Sequence, residues 1–140
     1  MEYSLKTQGL ALLELLIIVV IIAILAAIIF PSYLNYSKKA YYNAIIQATL
    51  PYKVAVTQCY HNLGTLTGCS GGINGIPADI AIAQGGPIAS LTTTDGIITA
   101  APVPQHGITT TDTYVLTPII SGNTITWATS GGSVTAGYAK

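Results

Sequence analysis

The distribution of apolar residues separates a long N-terminal segment from the rest of the chain. From Leu10 to Phe30 the sequence is apolar at every position except Glu14. At about 1.5 Å per residue, such a run forms a helix of about 31 Å, close to the roughly 30 Å of a bilayer core. The apolar core of an ordinary signal peptide has only about 7–15 residues. We therefore predict that residues 10–30 form a membrane-spanning helix that is kept in the mature protein.

A second pattern, typical of an amphipathic helix, covers residues 31–62. Apolar residues recur there every three or four positions, which places them on one helix face. We expect this face to lie on a core. Pro31 is expected to kink the helix, and Pro51 to cause a second bend or a brief break, because proline removes a backbone hydrogen bond. The predicted face consists of Tyr41, Ile45, Ala48, Tyr52, Ala55 or Val56, and Cys59.

The remaining sequence changes from a loop-like to a strand-like pattern. Residues 63–96 are rich in Gly, Thr, Ile and Pro, which indicates a long irregular loop, the αβ-loop. Residues 97–140 are predicted to form an antiparallel sheet and a C-terminal tail. A sheet with one buried face, packed on the amphipathic helix, gives an α+β fold. The predicted strands are Ile97–Val103, Thr113–Ile120 and Thr124–Ser130.

Two details of this sheet can be predicted from turn and proline chemistry. Ser121-Gly122-Asn123 is typical of a short hairpin connection between the last two strands. Pro118 lacks a backbone N–H, so we expect it on an edge strand or at a bulge.

The two cysteines, Cys59 and Cys69, are predicted to form a disulfide, because the chain has no other cysteine and no second metal-type pair. The bridge would close a loop of about eleven residues and stabilise the small domain by about 3 kcal/mol. Disulfides persist in oxidising compartments. We therefore expect the residues beyond about 31 to lie outside the cytoplasm.

Composition and motifs argue against several classes of protein. The net charge is zero, only 7% of the residues are charged, and the five lysines are scattered. Nucleic-acid binding needs clustered Lys or Arg, so no direct nucleic-acid partner is expected. His61 and His106 are accompanied by no nucleophile motif, and Gly71–Gly75 lacks the Lys of a phosphate-binding loop. With zinc-type spacing also absent, we expect no enzyme, no metal and no cofactor.

Glu14 is the residue in the apolar run that most needs an explanation. A charged side chain near the middle of a membrane span costs about 2.5–3.5 kcal/mol on insertion scales. In one interpretation Glu14 lies near the interface, at the positive end of the helix dipole, and has no specific partner. In the other, it pairs with a cation from another chain.

The segment that begins at Gly9 and Leu10 and contains Glu14 and Pro31 resembles the N-terminus of a type IV prepilin. In that family a short leader ends in Gly, a prepilin peptidase cleaves after it and methylates the new N-terminus, a Glu occupies the fifth mature position and a Pro lies near the twenty-second. The resemblance implies a leader at residues 1–9, cleavage between Gly9 and Leu10, N-methylation of Leu10, and pairing of Glu14 with the new amino terminus of a neighbouring subunit. Unlike most of the family, this chain begins its mature part with Leu10-Ala11.

The resemblance further implies the type IV pilin fold and the role of a major pilin subunit. Such subunits polymerise with copies of themselves into filaments that serve adhesion, twitching motility and DNA uptake. The expected partners are the prepilin peptidase, the assembly machinery in the inner membrane, and membrane lipid before assembly. The expected location is the inner membrane first and the extracellular filament afterwards.

Two alternatives to a major pilin remain open. One is a type II secretion pseudopilin, which shares this N-terminus and often carries a calcium site of clustered acidic residues; Asp79, Asp95 and Asp112 are dispersed in the sequence. The other is a membrane-anchored binding module or adhesin that does not polymerise.

Overall fold

The computed structural model describes residues 2–81 and 85–140, with side chains from Lys6 onward. Met1 of the predicted leader and residues 82–84 of the predicted αβ-loop lie outside the described residues. The chain forms two compact units, a first one up to Tyr36 and a second one over Ser37–Lys140. The elements are α1 (Glu2–Leu63), β1 (Ile88–Thr94), β2 (Ile97–Pro102), β3 (Tyr114–Ser121), β4 (Thr124–Ser130) and α2 (Gly132–Thr135).

In the first unit, α1 presents an apolar surface on all sides. Every side chain from Lys6 to Tyr36 is exposed. Within the described residues, α1 is the one helix whose length and apolar composition would suffice to cross a membrane. The helix is continuous through Pro31, and the kink expected there remains a prediction.

In the second unit, one face of α1 is buried, as the period of the sequence predicts. The buried residues are not all the expected ones, because Tyr42 takes the place of Tyr41, and Thr49 that of Ala48. Both expected residues are half-buried beside the core, so the predicted face is correct within one position. The fully buried face consists of Tyr42, Ile45, Thr49, Tyr52, Val56 and Cys59.

The helix also runs on through Pro51, so a brief break there is wrong, whereas the alternative prediction of a bend stays a prediction. Proline removes the hydrogen bond to the carbonyl four residues earlier, that of Gln47. Pro51 and Gln47 are both exposed. Water can therefore solvate the carbonyl that has lost its partner, and the helix need not end there.

The four strands form an antiparallel sheet in the order β1-β2-β3-β4, which confirms the predicted α+β class. Both outer pairs are hairpins with two-residue loops. Asp95 and Gly96 have φ angles of 46° and 83°, and two positive φ angles in sequence are typical of the type I′ turn that matches strand twist. Gly122, with φ 61°, begins the hairpin loop between β3 and β4 that the sequence predicted.

The first strand corrects the predicted domain boundaries, because β1 lies inside the segment 63–96 that was expected to be loop. Its Thr94 pairs with Ile97 of β2 across the Asp95-Gly96 turn, so a boundary at 97 divides a hairpin. The strand was missed because the surrounding Gly, Pro and Thr dominate the composition. The Asp-Gly pair between the strand-favouring residues Thr94 and Ile97 is nevertheless a strong hairpin signal.

Pro118 was predicted on an edge strand or at a bulge, but it is found in the inner strand β3, where the pairing with β4 shows no register shift. The pairing of β3 with β2 covers only Tyr114–Leu116. At Pro118 the one neighbouring strand among the described residues is β4, where Pro118 faces Trp127. Pro118 lies beyond Ile97, the first residue of β2. Its missing N–H therefore has no partner in β2, and no ladder hydrogen bond is lost.

The core lies between the sheet and the buried face of α1. Leu91, Ile98, Ala100, Tyr114 and Leu116 contribute its sheet side and are at most 5% exposed. This layer packing of a helix on one face of an antiparallel sheet is the one that the alternation of apolar and polar residues predicts.

Tyrosine hydroxyl groups on α1 fix the αβ-loop and the segment that connects β2 to β3. Tyr42 donates to the carbonyl of Asp112, and Tyr52 donates to that of Ala78 at 2.8 Å. Tyr41 donates to the carbonyl of Val103 at 3.1 Å. The αβ-loop and the segment between β2 and β3 are therefore attached to the helix by half-buried hydrogen bonds.

Candidate processing and assembly sites

The predicted cleavage point lies within the continuous helix α1. Gly9 is exposed, and a Cβ atom added to it would meet no atom within 4 Å in the described structure. Leu10 is 67% exposed. Nothing in the packing therefore requires glycine at this position, so its importance would come from recognition by another protein.

Glu14 follows Leu10 by four residues, which places the two on the same helix face, about 6 Å apart along the axis. Its side chain is exposed and surrounded by exposed leucines and isoleucines. In the described part of the chain Glu14 forms no ion pair. An unpaired carboxylate on an apolar surface is costly in lipid or in a dry protein interface.

The predicted disulfide is present in the structure. Cys59 and Cys69 are bonded, with their Cα atoms 5.9 Å apart, and both side chains are buried. The bond ties the last turns of α1 to the αβ-loop. At the bonded loop residue, the N–H of Gly96 donates to the carbonyl of Cys69 at 2.8 Å. The disulfide therefore holds the part of the loop on which the β1–β2 turn rests.

The same loop covers the outer edge of β1, a function that the sequence did not indicate. Ile80 and Leu91 exchange two backbone hydrogen bonds of 2.8 Å. The N–H of Thr93 donates to Oδ1 of Asp79 at 2.9 Å, and its carbonyl accepts from Gly71, also at 2.9 Å. An uncovered strand edge is prone to pair with other chains, and the loop prevents this at β1.

The three aspartates of the second unit have structural roles. Asp95 accepts from the N–H of Gly68, and Asp112 from that of Thr109, as Asp79 does from Thr93. Among the described residues, no group of three His, Cys, Asp or Glu side chains is placed to hold a metal ion.

The known proteins to which the chain is similar are pilus subunits and a prepilin peptidase-dependent protein. No protein-family model matches the chain. It is 45% identical over 73 residues to the prepilin peptidase-dependent protein D of Escherichia coli K12, covering 52% of this chain and 50% of that protein. It is 38% identical over 72 residues to the type IV pilus subunit protein TapA of Aeromonas hydrophila, covering 51% of each chain.

Longer but weaker similarity connects the chain to further pilins. It is 33% identical over 95 residues to the type IV major pilin PilE1 of Neisseria gonorrhoeae, covering 66% of this chain and 56% of that protein. The chain thus spans about half the length of the curated relatives it matches. The solution NMR structure of the major type IV pilin PpdD from enterohemorrhagic Escherichia coli superimposes with a TM-score of 0.56 at 26% identity, covering 69% of this chain and 70% of that one.

A long apolar N-terminal helix that continues onto a small antiparallel sheet defines the class of pilin-like proteins. Within that class, the chain is similar in sequence and in fold to type IV pilins and pilus subunits. The named relatives are pilus subunits and prepilin-type proteins and not enzymes, in agreement with the expectation from the sequence.

Proposed function

We propose that this chain is a structural subunit that polymerises into type IV pilus filaments after cleavage between Gly9 and Leu10 and N-methylation of Leu10. The observation that carries the proposal is the fully exposed apolar surface of α1 around a single carboxylate. Such a surface is stable only when lipid or other protein covers it. Lipid covers it in the membrane, and the helices of other copies cover it in a filament.

Cleavage and assembly are linked through Glu14 in this proposal. Cutting after Gly9 creates a new ammonium group at Leu10. The Glu14 carboxylate of one subunit pairs with the ammonium of its neighbour as the subunit leaves the membrane. Because both charges are then shielded from water, removing one of them costs about 3–5 kcal/mol.

Substitution of Glu14 tests the pairing. Glu14→Ala should still enter the membrane, because the change makes the span more apolar, but it should not assemble into filaments. Ser32→Ala is the matched control: it removes another exposed polar side chain from the same helix, and it should assemble normally. Normal filaments of Glu14→Ala, seen by electron microscopy of sheared cell-surface material, would refute the pairing.

Substitution of Gly9 tests processing separately. An added methyl group meets no neighbouring atom, and alanine favours helix over glycine. Gly9→Ala should therefore leave the fold intact and leave an uncleaved precursor in the membrane. A mobility on a denaturing gel equal to that of the processed wild-type chain would argue against cleavage at this bond.

The remaining parts of the proposal concern partners and location. The proposed partners are the prepilin peptidase, the assembly machinery and the lipid of the inner membrane. Before assembly the second unit lies outside the cytoplasm, and after assembly the subunit is part of an extracellular filament. A major pilin is favoured over a pseudopilin because relatives such as TapA and PilE1 are named as pilus subunits and because the described residues hold no acidic cluster for calcium. Long filaments made mainly of this chain would support a major pilin, whereas a minor amount in filaments of another pilin would contradict it.

A further inference from the structure

A shallow hollow lies in the second unit, between the residues with which α1 enters that unit and the last residues of the chain. It has a volume of about 320 Å³. The half-buried side chain of Tyr138 forms one of its walls, and the centre of this ring lies 6.1 Å from that of the buried Tyr42. We call it the Tyr138 hollow. The side chains that line it include Lys39, Asn43, Ile46, Tyr138 and Lys140.

The backbone that forms the hollow is held in place. The N–H of Tyr138 donates to the carbonyl of Ser133 at 2.9 Å. The buried hydroxyl group of Ser133 in turn donates to the carbonyl of Thr113 at 2.9 Å, next to the start of β3. Ala139 is buried as well. The hollow is therefore a fixed part of the second unit.

The polar groups of the hollow are hydrogen-bond donors that have no acceptor. They are the ammonium groups of Lys39 and Lys140, the amide of Asn43 and the hydroxyl group of Tyr138. Within the part of the chain that the structure describes, none of these side chains forms a hydrogen bond or an ion pair. A third ammonium group, that of Lys38, lies 5.9 Å from the centre of the Tyr138 ring. Donors and positive charge therefore meet at one place.

Negative charge is missing from the side chains around this hollow. No Asp or Glu is among the described residues that line it. The carboxylate of Asp112, in the neighbouring segment between β2 and β3, already accepts from the N–H and the hydroxyl group of Thr109, at 2.8 and 3.1 Å. A ligand that suits the hollow is thus an anion with several acceptor oxygens. A phosphate group has this chemistry, and its hydrogen bonds to ammonium groups are charge-assisted.

The position of the lysines in the chain brings them to the membrane surface. Lys38 and Lys39 follow Phe30, the last residue of the predicted membrane span, by eight and nine residues. Eight residues of helix rise about 12 Å, and the headgroup layer extends about 5–8 Å beyond the hydrocarbon core. An exposed charge acts over about 8 Å at physiological ionic strength, and a lysine carries its charge at the end of a long flexible side chain. Both ammonium groups therefore come within range of the headgroup phosphates while the span is in the membrane.

We propose that Lys38 and the Tyr138 hollow bind the phosphodiester headgroup of an anionic phospholipid while the subunit is anchored in the membrane, an inference that rests on the proposed membrane-anchored precursor. The phosphate oxygens accept from the Lys39 ammonium and the Asn43 amide, and Lys38 adds positive charge. A zwitterionic headgroup binds less tightly, because its own cation meets these ammonium groups and finds no carboxylate side chain to pair with. The contact is lost when the subunit leaves the membrane.

The affinity for anionic lipid should depend on the lysines in a graded way. Each lysine near an anionic membrane surface contributes about a factor of five to the affinity. Removing the charges of Lys38 and Lys39 together should therefore weaken the binding of an anionic lipid about 25-fold. The binding of a zwitterionic lipid should change little, and the difference between the two lipids should shrink at high salt.

Native mass spectrometry of the full-length chain in detergent micelles tests the proposal. The chain is titrated with phosphatidylglycerol, which is anionic, or with phosphatidylcholine, which is zwitterionic and carries the same acyl chains. The variant is the double substitution Lys38→Gln and Lys39→Gln. The matched control is Lys53→Gln, which removes the same charge from the same helix outside the hollow. The expected result is preferential binding of phosphatidylglycerol that is lost in the double variant and kept in Lys53→Gln.

Three results would overturn the proposal. The first is equal binding of the two lipids by the wild-type chain. The second is an equal loss in Lys53→Gln and in the double variant, because the effect would then come from net charge alone. The third is displacement of phosphatidylglycerol by inorganic phosphate at the same concentration, which would mean that the hollow binds free phosphate and not a lipid.

A single variant keeps the test valid if the double variant fails to fold. Lys38 is half-buried, whereas Lys39 is exposed, so Lys39→Gln should leave the thermal unfolding of the chain without lipid unchanged. It should weaken the binding of phosphatidylglycerol about five-fold, and unchanged binding would overturn the proposal.

The lipid measurement is independent of filament formation, so the two failures can be told apart. Filaments that form normally from a chain without lipid preference overturn the headgroup site and leave the filament function intact. A chain that prefers phosphatidylglycerol but forms no filaments supports the headgroup site and contradicts the filament function.

Discussion

Removing the hydroxyl group of Tyr42 should lower the stability of the second unit by about 1–3 kcal/mol, the cost of leaving a buried acceptor without a donor. The ring of Tyr42 is fully buried, against Tyr114 and Tyr138, whose centroids lie 6.3 and 6.1 Å away. Tyr42→Phe keeps this packing and removes the donor to the Asp112 carbonyl, together with the interaction of the hydroxyl group with the Ser133 side chain. For a domain of roughly 100 residues, each kcal/mol corresponds to a shift in Tm of about 4 °C.

The alkaline limb of the stability curve gives an independent signature of the same hydroxyl group. Burial raises the pKa of Tyr42 from 10.0 to about 12. The unfolded chain therefore loses this proton at a lower pH than the folded one. The stabilising contribution is fully present below pH 10 and is lost as the pH rises through about 12. Burial also raises the pKa of Tyr41, Tyr52 and Tyr114, but these residues are present in both proteins, so the difference isolates Tyr42.

The assay is thermal unfolding of the full-length chain in detergent micelles, followed by the fluorescence of Trp127, the single tryptophan of the sequence. Tyr60→Phe is the matched control, because Tyr60 is a half-buried residue of the same helix whose hydroxyl group makes no hydrogen bond in the described residues. Tyr42→Phe should unfold at a lower temperature than Tyr60→Phe and should lose stability less steeply above pH 10. Equal Tm values and equal alkaline slopes would refute the assigned role of this hydroxyl group.

Three further changes should alter stability in the same assay. Thr93→Val removes a buried hydroxyl group that has no hydrogen-bond partner among the described residues and should raise stability by about 1 kcal/mol; a loss would mean that the group has a partner. Replacing Cys59 and Cys69 together by Ala opens a closure of ten residues in separation and should lower stability by about 3 kcal/mol, whereas an unchanged Tm would contradict the stapling role. Gly96→Ala should be more destabilising than Gly122→Ala, because both positions have positive φ but only at Gly96 would the new Cβ lie 2.8 Å from a leucine side chain; equal effects would show that the turn conformation alone decides.

The helix could be predicted from the sequence because its signal is a repeated one. Apolar residues recur at helical spacing over many turns, and an error at one position does not change the face. The choice between Tyr41 and Tyr42 could not be made in this way, since two adjacent tyrosines fit the period equally well. The continuity at Pro51 could not be predicted either, because it depends on whether the carbonyl of Gln47 faces water or protein in the folded chain.

The sheet was predicted less completely because its first strand is held by distant residues. On its outer side, Thr93 donates its N–H to Asp79 and accepts at its carbonyl from Gly71, and no local pattern identifies such partners. The turn at Asp95-Gly96 was the available local signal. The strands after it agree with the predicted ones within two residues, since they alternate apolar and polar positions next to clear turn residues.

Among the candidate sites, too, those formed by neighbouring residues could be predicted from the sequence, and those formed by distant residues could not. The spacing of Gly9, Leu10 and Glu14 is a linear motif, so the sequence alone carries it, and the structure adds that all three are exposed. The surface between α1 and β4 joins residues that are far apart in the chain, such as Val54 and Trp127. Its apolar residues look like ordinary core residues in the sequence, and only the folded chain shows that Leu50 and Val54 are exposed.

The central claim is that processing after Gly9 and polymerisation are consecutive steps of one mechanism. The most direct measurement is intact-mass spectrometry of the subunit isolated from sheared surface filaments. The account predicts a chain that begins at Leu10, carries one added methyl group on its amino terminus, and is the main component of the filament. A filament built from the chain with residues 1–9 still attached, or a processed chain found only as unassembled membrane protein, would contradict it.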